Sequence, residues 1–235
     1  MKVEVVLLPK DLKPGQLTGR ACIVFDVLRA TTTMAAALAA GVEAIHLFDN
    51  LDAARAAAAV YDKPRLLCGE AACVAPPGFD LGNSPGQFRA SHHGATMFMC
   101  TTNGTRALLA AREAAVLFTG AIVNASAVAQ TLRATGRDVT LLCAGTNGEV
   151  AMEDVIGAGA VIAALKPDDI NDIAATALDA FERGRNHLAG VLSETLGGIN
   201  VRAAGLAEDI EFAARLDAVP IVGVAAGDPL VVRKA

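Results

Sequence analysis

The chain has 235 residues, of which 53% are hydrophobic, and this is enough to bury a substantial core. Its formal net charge is −5 at pH 7 and its basic residues are scattered, which argues against a surface that neutralises a nucleic-acid backbone. The longest weakly polar stretches are well short of the roughly 18 apolar residues that a bilayer-spanning helix needs, so we expect no membrane partner and a cytoplasmic location.

Short apolar runs alternate with alanine-rich amphipathic stretches along the chain. A first strand is expected in MKVEVV, because Lys2 and Glu4 make this stretch too charged for the core of a signal peptide. The strand and helix pairs that follow are ACIVFD with ATTTMAAALAAG, EAIHLF with LDAARAAAAVY, MFMC with GTRALLAAREA, AVLFTG with NASAVAQTLRATG, and VTLLCAG with EVAMEDVIGAGAVIAAL. Gly41 and Gly136 lie just beyond two predicted helices, where glycine often ends a helix. The alternation predicts an α/β fold with largely parallel or mixed sheets flanked by helices.

Two segments interrupt this alternation. Residues 69–88 (GEAACVAPPGFDLGNSPGQF) form one long irregular connection with three prolines and four glycines, and a loop of this length in a compact protein is typically functional or disordered. Residues 166–218 show helical periodicity without a clear strand, and VPIVGVAAGD then supplies a last buried strand.

Two pairs of segments echo each other. TTNGTRALLAA is similar to GTNGEVAMEDV, and RATTTMAAALAAGVEAIHLF shares its order of turn, helix, glycine and strand with NASAVAQTLRATGRDVTLLC. Such an echo arises from a duplication or from convergence of βα units on one pattern. We treat residues 1–235 as one functional unit, and a duplication would divide it into two related lobes, 1–115 and 116–235, with the site between them.

Four predicted strands end in a small polar turn that opens a helix: VFDVLRATTT, FMCTTNGTRA, TGAIVNASA and LLCAGTNGEV. In a parallel sheet the carboxyl ends of the strands and the amino ends of the helices share one edge, where free backbone N–H groups favour an anion. The alternative for any one turn is a plain helix cap. Four turns at one edge, two of them Thr-Asn-Gly, favour a phosphate or carboxylate site.

Charged residues accompany these turns. Arg29 and Arg106 lie near predicted helix starts, where the helix dipole disfavours a cation, so each indicates either a nearby anion or a salt bridge to a carboxylate. Glu149 and Glu153 are four residues apart and are expected on one helix face. Together with Asp154 they could hold Mg²⁺, with water and substrate oxygens completing its octahedron.

Several common mechanisms lack their motifs. Leu28 stands where phosphatases that use D-x-D carry a second aspartate, and the chain contains no phosphate-binding P-loop, dinucleotide fingerprint or G-x-S-x-G elbow. Cys100 and Arg106 have the spacing of thiolate phosphatases, but Cys143 takes the same place before the second Thr-Asn-Gly. Both cysteines end apolar runs, so Cys100 is predicted to be a buried packing residue rather than a nucleophile.

The stretches VFDVLRATTT, GE at 69–70, GFDLGNSP, TTNGTRA, VNASAVA, AGTNGEVAMEDVIGAGA, AEDIEFAARLD and VPIV run in family order across almost the whole chain and resemble the 2-phosphosulfolactate phosphatase family. The resemblance implies an α/β fold peculiar to that family. It also implies Mg²⁺-dependent hydrolysis of (2R)-2-phospho-3-sulfolactate to 3-sulfolactate and phosphate, a step of coenzyme M biosynthesis. Because members also occur in bacteria that make no coenzyme M, the physiological substrate is left open.

The resemblance also assigns the residues of the site. Catalytic roles fall to Asp26, Arg29, Thr31, Glu70, Thr101, Thr102, Asn103 and Arg106. Substrate-binding roles fall to Asn83, Ser84, Gly104, Thr105, Asn124 and Asn147. Metal-binding roles fall to Asp26, Glu153 and Asp154.

The expected partner is a small anionic phosphorylated substrate, and a homodimer is left open. Two other functions remain as alternatives: a phosphatase for another 2-phospho-hydroxy acid, such as a phospholactate or phosphoglycerate, and a non-catalytic module that binds an anion at the same helix N-termini.

Overall fold

The computed structural model describes residues 1–235, and a ten-stranded mixed sheet forms the framework of the protein. The strands are β1 (Lys2–Val6), β2 (Ala21–Phe25), β3 (Ala44–Phe48), β4 (Arg65–Gly69), β5 (Thr96–Cys100), β6 (Val116–Gly120), β7 (Val139–Cys143), β8 (Asp169–Ile170), β9 (Gly223–Ala226) and β10 (Val231–Lys234). The helices are α1 (Ala30–Ala39), α2 (Leu51–Ala59), α3 (Gly104–Ala110), α4 (Ala125–Thr135), α5 (Met152–Leu165), α6 (Asp172–Gly184), α7 (Leu188–Ser193), α8 (Leu196–Ala203) and α9 (Ala207–Ala213). The predicted α/β class is confirmed.

The strand order is β4-β5-β3-β10-β9-β6-β2-β7-β1-β8. The first half-sheet (β4, β5, β3) and the second half-sheet (β6, β2, β7, β1, β8) are each parallel inside. The hairpin of β9 and β10 joins them and is antiparallel to both of its neighbours. The last predicted strand is therefore one arm of a hairpin, whose second arm, β10, is missing from the predicted elements.

The register within each half-sheet levels the carboxyl ends of its strands. Phe25 of β2 pairs with Gly120 of β6 and with Cys143 of β7. In the first half-sheet, Cys100 of β5 pairs in the same way with the ends of β3 and β4. The polar residues that follow these strands, Asp26 among them, therefore lie together at one edge of each half-sheet.

Helices α1 and α3 pack on one face of the sheet, where one core cluster draws large side chains from both half-sheets and from both helices. Its central members are Val24, Met34, Ile45, Met99, Leu108 and Leu142. A larger core cluster lies on the other face of the second half-sheet, beneath α4, α5 and α6. Helix α3, which follows β5, contacts both β2 and β3, and its first residue, Gly104, approaches the Asp26 side chain, so the carboxyl ends of β5 and β2 lie close together.

The helix boundaries follow local chemistry. Asn50 and Asn171 cap α2 and α6 by accepting backbone N–H bonds at 2.7 and 2.8 Å. Gly41 and Gly136 follow α1 and α4 with φ of +90° and +63°, as predicted. None of these helices combines the length and the hydrophobicity that a membrane-spanning segment requires.

One predicted helix start is wrong. The second Thr-Asn-Gly does not open a helix, because α5 begins only at Met152. Glu149 lies before the helix, on an exposed turn, so Glu149 and Glu153 do not share a helix face. The division into lobes 1–115 and 116–235 stays a prediction, and a continuous ladder of strands joins the two half-sheets.

Candidate active site

A cavity of about 600 Å³ opens where the strand-end turns meet. Seven of the sixteen predicted site residues line it: Asp26, Arg29, Glu70, Asn83, Thr102, Asn103 and Asn147. Three of the four predicted strand-end turns contribute residues to the lining of this cavity. The structure therefore brings together residues that are up to 121 positions apart in the chain.

Asp26 follows β2 and is 94% buried, with 6% of its surface exposed. Its Oδ1 accepts the backbone N–H of Ala30 at 3.0 Å. The Thr31 hydroxyl brackets the same residue, accepting from the Asp26 N–H and donating to the Asp26 carbonyl. Burial, reinforced by the carboxylates of Glu70 and Glu153, raises the pKa of Asp26 to about 6. Thr31 thus supports Asp26 and does not itself line the cavity.

The first Thr-Asn-Gly turn is closed by two threonines. Thr101 Oγ1 accepts the Thr105 N–H at 3.1 Å, and Thr105 Oγ1 donates to the Thr101 carbonyl at 2.8 Å. At Gly104, which opens α3, a Cβ would lie 2.7 Å from Asp26 Oδ2. Only glycine lets the start of the helix approach this carboxylate so closely, which explains why the third residue of this Thr-Asn-Gly turn is glycine.

The second Thr-Asn-Gly is a tight hairpin turn. Asn147 and Gly148 have φ of +54° and +82°, and Thr146 and Glu149 exchange both of their backbone hydrogen bonds. Its backbone meets the first turn, because the Asn147 N–H donates to Asn103 Oδ1 at 3.2 Å. The two repeats therefore form one continuous wall of the cavity.

Glu70 holds two loops together. Its Oε1 accepts the Thr102 N–H at 2.7 Å and its Oε2 accepts the Cys73 N–H at 3.0 Å. Ala72 and Cys73 form a turn with φ of +50° and +69° and lie at the cavity. The long irregular connection of residues 69–88 thus contributes to the site.

Asn83, in the same connection, presents an unsatisfied atom. The residue is 3% exposed and lines the cavity, and its Oδ1 has no hydrogen-bond partner. Its backbone is anchored by the Thr33 hydroxyl, which donates to the Asn83 carbonyl at 2.9 Å. Since an unsatisfied buried acceptor costs about 1–3 kcal/mol, this amide is suited to a bound donor or cation.

Arg29 lines the cavity but is only 3% exposed, and its partners come from two distant segments. Nη1 donates to Asp209 Oδ2 at 2.7 Å and to Ser84 Oγ at 3.1 Å, and Nη2 donates to the Cys73 carbonyl at 2.5 Å. Ser84 Oγ also donates to Asp209 Oδ2 at 2.7 Å. Of the two predicted explanations for Arg29, the salt bridge is the one observed. Asp209 was not among the predicted site residues.

Two acidic residues in the first turn of α5 lie behind Asp26. Asp154 Oδ1 accepts the Val27 N–H at 2.8 Å and its Oδ2 accepts the Gly145 N–H at 3.0 Å. Burial, together with neighbouring Asp26 and Glu153, raises the pKa of Asp154 well above its usual range. Asp154 therefore joins the loops after β2 and β7 through both of its oxygens.

Glu153 is buried against the start of α8. Its Oε2 has no hydrogen-bond partner, and burial raises the pKa of its carboxyl. A Cβ at Gly197 would collide with Glu153 Oε1, so glycine is required there. This buried and partly unsatisfied carboxylate needs a proton or a cation nearby.

The acidic residues fit an Mg²⁺ site in which the protein supplies only one or two ligands. No group of three or more His, Cys, Asp or Glu side chains could hold a metal ion by itself. Mg²⁺, however, usually takes one or two carboxylates and completes its shell with water and substrate oxygens. The unpaired Glu153 Oε2 and the raised pKa of Asp26 are what such a cation would relieve.

Two predicted site residues lie elsewhere. Asn124 is buried away from the cavity, where it accepts the Ala121 N–H and donates to the Ile221 carbonyl. Arg106 is exposed on α3 and does not line the cavity. Burial raises the pKa of the Cys100 thiol to about 11, and the charge of Arg106 opposes this shift with a smaller effect. The substrate-binding role of Asn124 and the catalytic role of Arg106 stay predictions.

One wall of the cavity has no counterpart among the predicted residues. It consists of one face of α8 and the residue after it, with Gly197, Asn200, Val201, Ala203 and Ala204. The sequence shows only helical periodicity here. Apart from Asn200, the small and apolar residues carry no chemical pattern that could mark them as part of a site.

Comparison with known proteins extends over nearly the whole chain. The model of the family described as 2-phosphosulpholactate phosphatase matches residues 6–228. Relatives named "Probable 2-phosphosulfolactate phosphatase" include one from Carboxydothermus hydrogenoformans, 37% identical over 94% of this chain and 92% of its own. Another, from Synechococcus sp. (strain JA-3-3Ab), is 37% identical over 91% of each chain. A third, from Thermotoga maritima, is 34% identical over 89% of each chain.

Proposed function

The chain belongs to the 2-phosphosulfolactate phosphatase family, a family of phosphoric monoester hydrolases, and on that premise we propose that it hydrolyses (2R)-2-phospho-3-sulfolactate to 3-sulfolactate and phosphate with Mg²⁺. The observation that carries the proposal is the convergence of Asp26, Arg29 and both Thr-Asn-Gly turns on one cavity. This cavity combines an arginine, backbone and amide donors, and a carboxyl group, which are the groups that phosphoryl transfer requires.

The charge of the cavity supports a bound cation. Its charged lining residues are Arg29, Asp26 and Glu70, and Arg29 is already paired with Asp209. The proposed substrate carries a phosphate, a carboxylate and a sulfonate. A site with this lining attracts such an anion only if additional positive charge enters with it.

Asp26, which lines the cavity, and Glu153, whose Oε2 has no partner, are the residues that would hold Mg²⁺. Asp154 instead joins the neighbouring loops, because both of its oxygens accept backbone N–H groups. When bound, the ion would withdraw charge from the phosphoryl oxygens and lower the pKa of a bound water. Glu70 keeps the loops around Thr102 and Cys73 in place, so the cavity retains its shape in the presence of a highly charged ligand.

Asp26 is also the group best placed to move a proton. Without a cation its pKa is about 6, and a bound Mg²⁺ would lower it, so the carboxylate would be charged at neutral pH and able to accept a proton. In the proposed reaction it orients the attacking water and accepts its proton. The two N–H groups of Arg29 that have no protein partner bind the phosphoryl oxygens, whose charge increases as the ester bond breaks.

A second substrate is favoured by one observation. Arg29 is the only basic residue that lines the cavity, so no second cation is in place for a sulfonate. A phosphatase for a 2-phospho-hydroxy acid without the sulfonate, such as phospholactate, is therefore the alternative. Comparing kcat/KM for phospholactate, phosphoglycerate and 2-phospho-3-sulfolactate separates the two substrates. If the protein binds the sulfonate, the substrates that lack this group should have a much lower kcat/KM.

The first experiment is phosphate release from p-nitrophenyl phosphate and from 2-phospho-3-sulfolactate by metal-free protein, with and without added Mg²⁺. Turnover that depends on Mg²⁺ and is lost in Asp26→Asn supports the proposal. The matched control is Asp62→Asn, an exposed aspartate away from the cavity. Absence of turnover on every ester under all metal conditions would instead favour a non-catalytic anion-binding module.

The wider assignments are also proposals. A cytoplasmic location agrees with five free cysteines, which are typical of a reducing compartment. The acidic net charge of −5 supports a small phosphorylated molecule rather than nucleic acid as the partner. A role in coenzyme M biosynthesis follows only if 2-phospho-3-sulfolactate is the preferred substrate, and a homodimer remains a matter for measurement of the mass in solution.

A further inference from the structure

A buried network of three side chains extends from the wall of the cavity, which Arg29 lines, to two residues outside it. Arg29, Ser84 and Asp209 are 3%, 7% and 5% exposed. Asp209 Oδ2 accepts from both Arg29 Nη1 and Ser84 Oγ, each at 2.7 Å, and Ser84 Oγ accepts in turn from Arg29. Every member of this triangle contacts the other two, so the carboxylate fixes both the serine and the guanidinium.

The network determines which part of Arg29 can meet a ligand. A guanidinium has five N–H groups, and three of those of Arg29 are used by Asp209, Ser84 and the Cys73 carbonyl. Two N–H groups remain for a ligand in the cavity that Arg29 lines. Because the planar fork is held at both Nη atoms, it cannot rotate without breaking the ion pair.

Asp209 acts from outside the cavity. It lies on α9, 180 residues from Arg29 in the chain, and does not line the cavity. Helix α9 packs against the short 3-10 turn Pro85–Gln87 that follows Ser84. Helix α9 and the connection of residues 69–88 therefore place the carboxylate and the hydroxyl on the same side of Arg29.

We propose that Asp209, assisted by Ser84, is a positioning residue that orients Arg29 for binding the phosphoryl group of the substrate. The inference rests on the proposed function. A buried arginine without its carboxylate would be an unpaired charge and would take other orientations, which weakens its contact with a phosphoryl oxygen. Misplacement of a binding group by about 1 Å can cost about 10²-fold in rate.

The test compares Asp209→Asn with Glu211→Gln, which removes the same charge from an exposed position of α9. We expect Asp209→Asn to lower kcat/KM for p-nitrophenyl phosphate by about 10²-fold and Glu211→Gln to leave it unchanged. Asp209→Glu, which restores the charge on a longer side chain, should recover part of the loss. Ser84→Ala keeps the ion pair and should cost about tenfold.

A double-mutant cycle with Arg29→Lys separates positioning from a general effect on folding. If Asp209 acts by orienting the Arg29 guanidinium, Asp209→Asn should lower kcat/KM little further in the Arg29→Lys background. If the two residues act independently, the two losses in kcat/KM should multiply. Wild-type kinetics in Asp209→Asn, or additivity in the cycle, overturn the inference. Should Asp209→Asn fail to fold, unchanged kinetics in folded Ser84→Ala overturn it equally.

The inference can fail separately from the proposed function. If the wild-type protein hydrolyses no ester, the proposed function fails, and calorimetric binding of inorganic phosphate becomes the readout. Weaker phosphate binding in Asp209→Asn than in Glu211→Gln then supports the positioning role. Equal binding in both variants overturns it.

Discussion

The backbone N–H of Asn147 donates to the side-chain oxygen of Asn103 at 3.2 Å, so the two Thr-Asn-Gly turns are in direct contact. They have the same three residues and different structures. The first is closed by Thr101 and Thr105 and opens a helix, whereas Gly145 and Glu149 stand in the equivalent places of the second. Without the two threonine hydroxyls, the second sequence forms a hairpin turn instead.

Asn147→Ala tests this turn, because Asn147 has φ of +54° and an alanine there is strained. We expect Asn147→Ala to lower the free energy of unfolding by about 1–2 kcal/mol, and Asn147→Gly to lower it less, since glycine adopts this conformation freely. Urea unfolding measures both. Equal losses in the two variants would show that the side chain, rather than the backbone conformation, is what matters.

Asp26→Asn should separate catalysis from capping. We expect kcat to fall by on the order of 10², because the variant keeps an amide oxygen for the Ala30 N–H but cannot take up a proton. The melting temperature at about pH 8 should not fall, because burial already disfavours the charged form of Asp26. A loss of only a few-fold in kcat together with earlier melting would favour the capping role.

The metal-free protein should be more stable at about pH 5 than at about pH 8. Burial, helped by Glu70 and Glu153, raises the pKa of Asp26 from 3.8 to about 6, and burial also raises the pKa values of Glu153 and Asp154. The folded state therefore keeps protons that the unfolded chain releases, so the free energy of unfolding falls as the pH rises through this range. For Asp26 alone the change between these two pH values is on the order of 1 kcal/mol, about half of the roughly 3 kcal/mol that the whole shift from 3.8 to about 6 represents.

Melting curves of protein treated with EDTA, recorded between about pH 5 and about pH 8, measure this effect. Asp26→Asn should flatten the profile, and added Mg²⁺ should raise the melting temperature more at the higher pH, where the carboxylates are charged. A melting temperature that rises with pH in metal-free protein would contradict the assignment of a raised pKa to this cluster.

Glu153 and Asp154 should respond differently to loss of charge. Glu153→Gln should raise the Mg²⁺ concentration needed for half-maximal activity, because its Oε2 has no protein partner. Asp154→Asn should instead lower the free energy of unfolding by about 1–3 kcal/mol, since an amide nitrogen cannot accept one of the two backbone N–H groups. Glu149→Gln, on the exposed turn, is the control. Unaltered Mg²⁺ dependence in Glu153→Gln would remove this residue from the metal site.

Cys100→Ser should retain most of the activity. Burial raises the pKa of the Cys100 thiol to about 11, so it stays protonated at neutral pH and is a poor nucleophile.

Cys73 is the half-buried thiol that lines the cavity. Inactivation by N-ethylmaleimide should therefore be slow, be slowed further by phosphate, and disappear in Cys73→Ser. A folded but inactive Cys100→Ser would make Cys100 the nucleophile.

Most strands and helices could be predicted because each is specified locally, by an apolar run or by a short amphipathic period. The short strand β8, the second hairpin arm β10 and the start of α5 at Met152 could not, because they lack such a local signal. Residues such as Asp26 and Thr102 could be predicted for the cavity because they follow strands that end at one edge. The partner of Arg29 could not be predicted. Asp209 lies between the exposed Glu208 and Glu211 on one short helix, and nothing in AEDIEFAARLD distinguishes the buried carboxylate from its neighbours.

The β9–β10 hairpin, at residues 223–234, joins β3 of the first half-sheet to β6 of the second. During synthesis, strands from residues 2–170 leave the ribosome long before the segment that connects them edge to edge. Each half-sheet can pair its own strands early, but β3 and β6 then expose unpaired edges until the hairpin arrives. We therefore expect the cavity, which takes residues from the ends of both half-sheets, to acquire its final shape only after the hairpin has paired with β3 and β6.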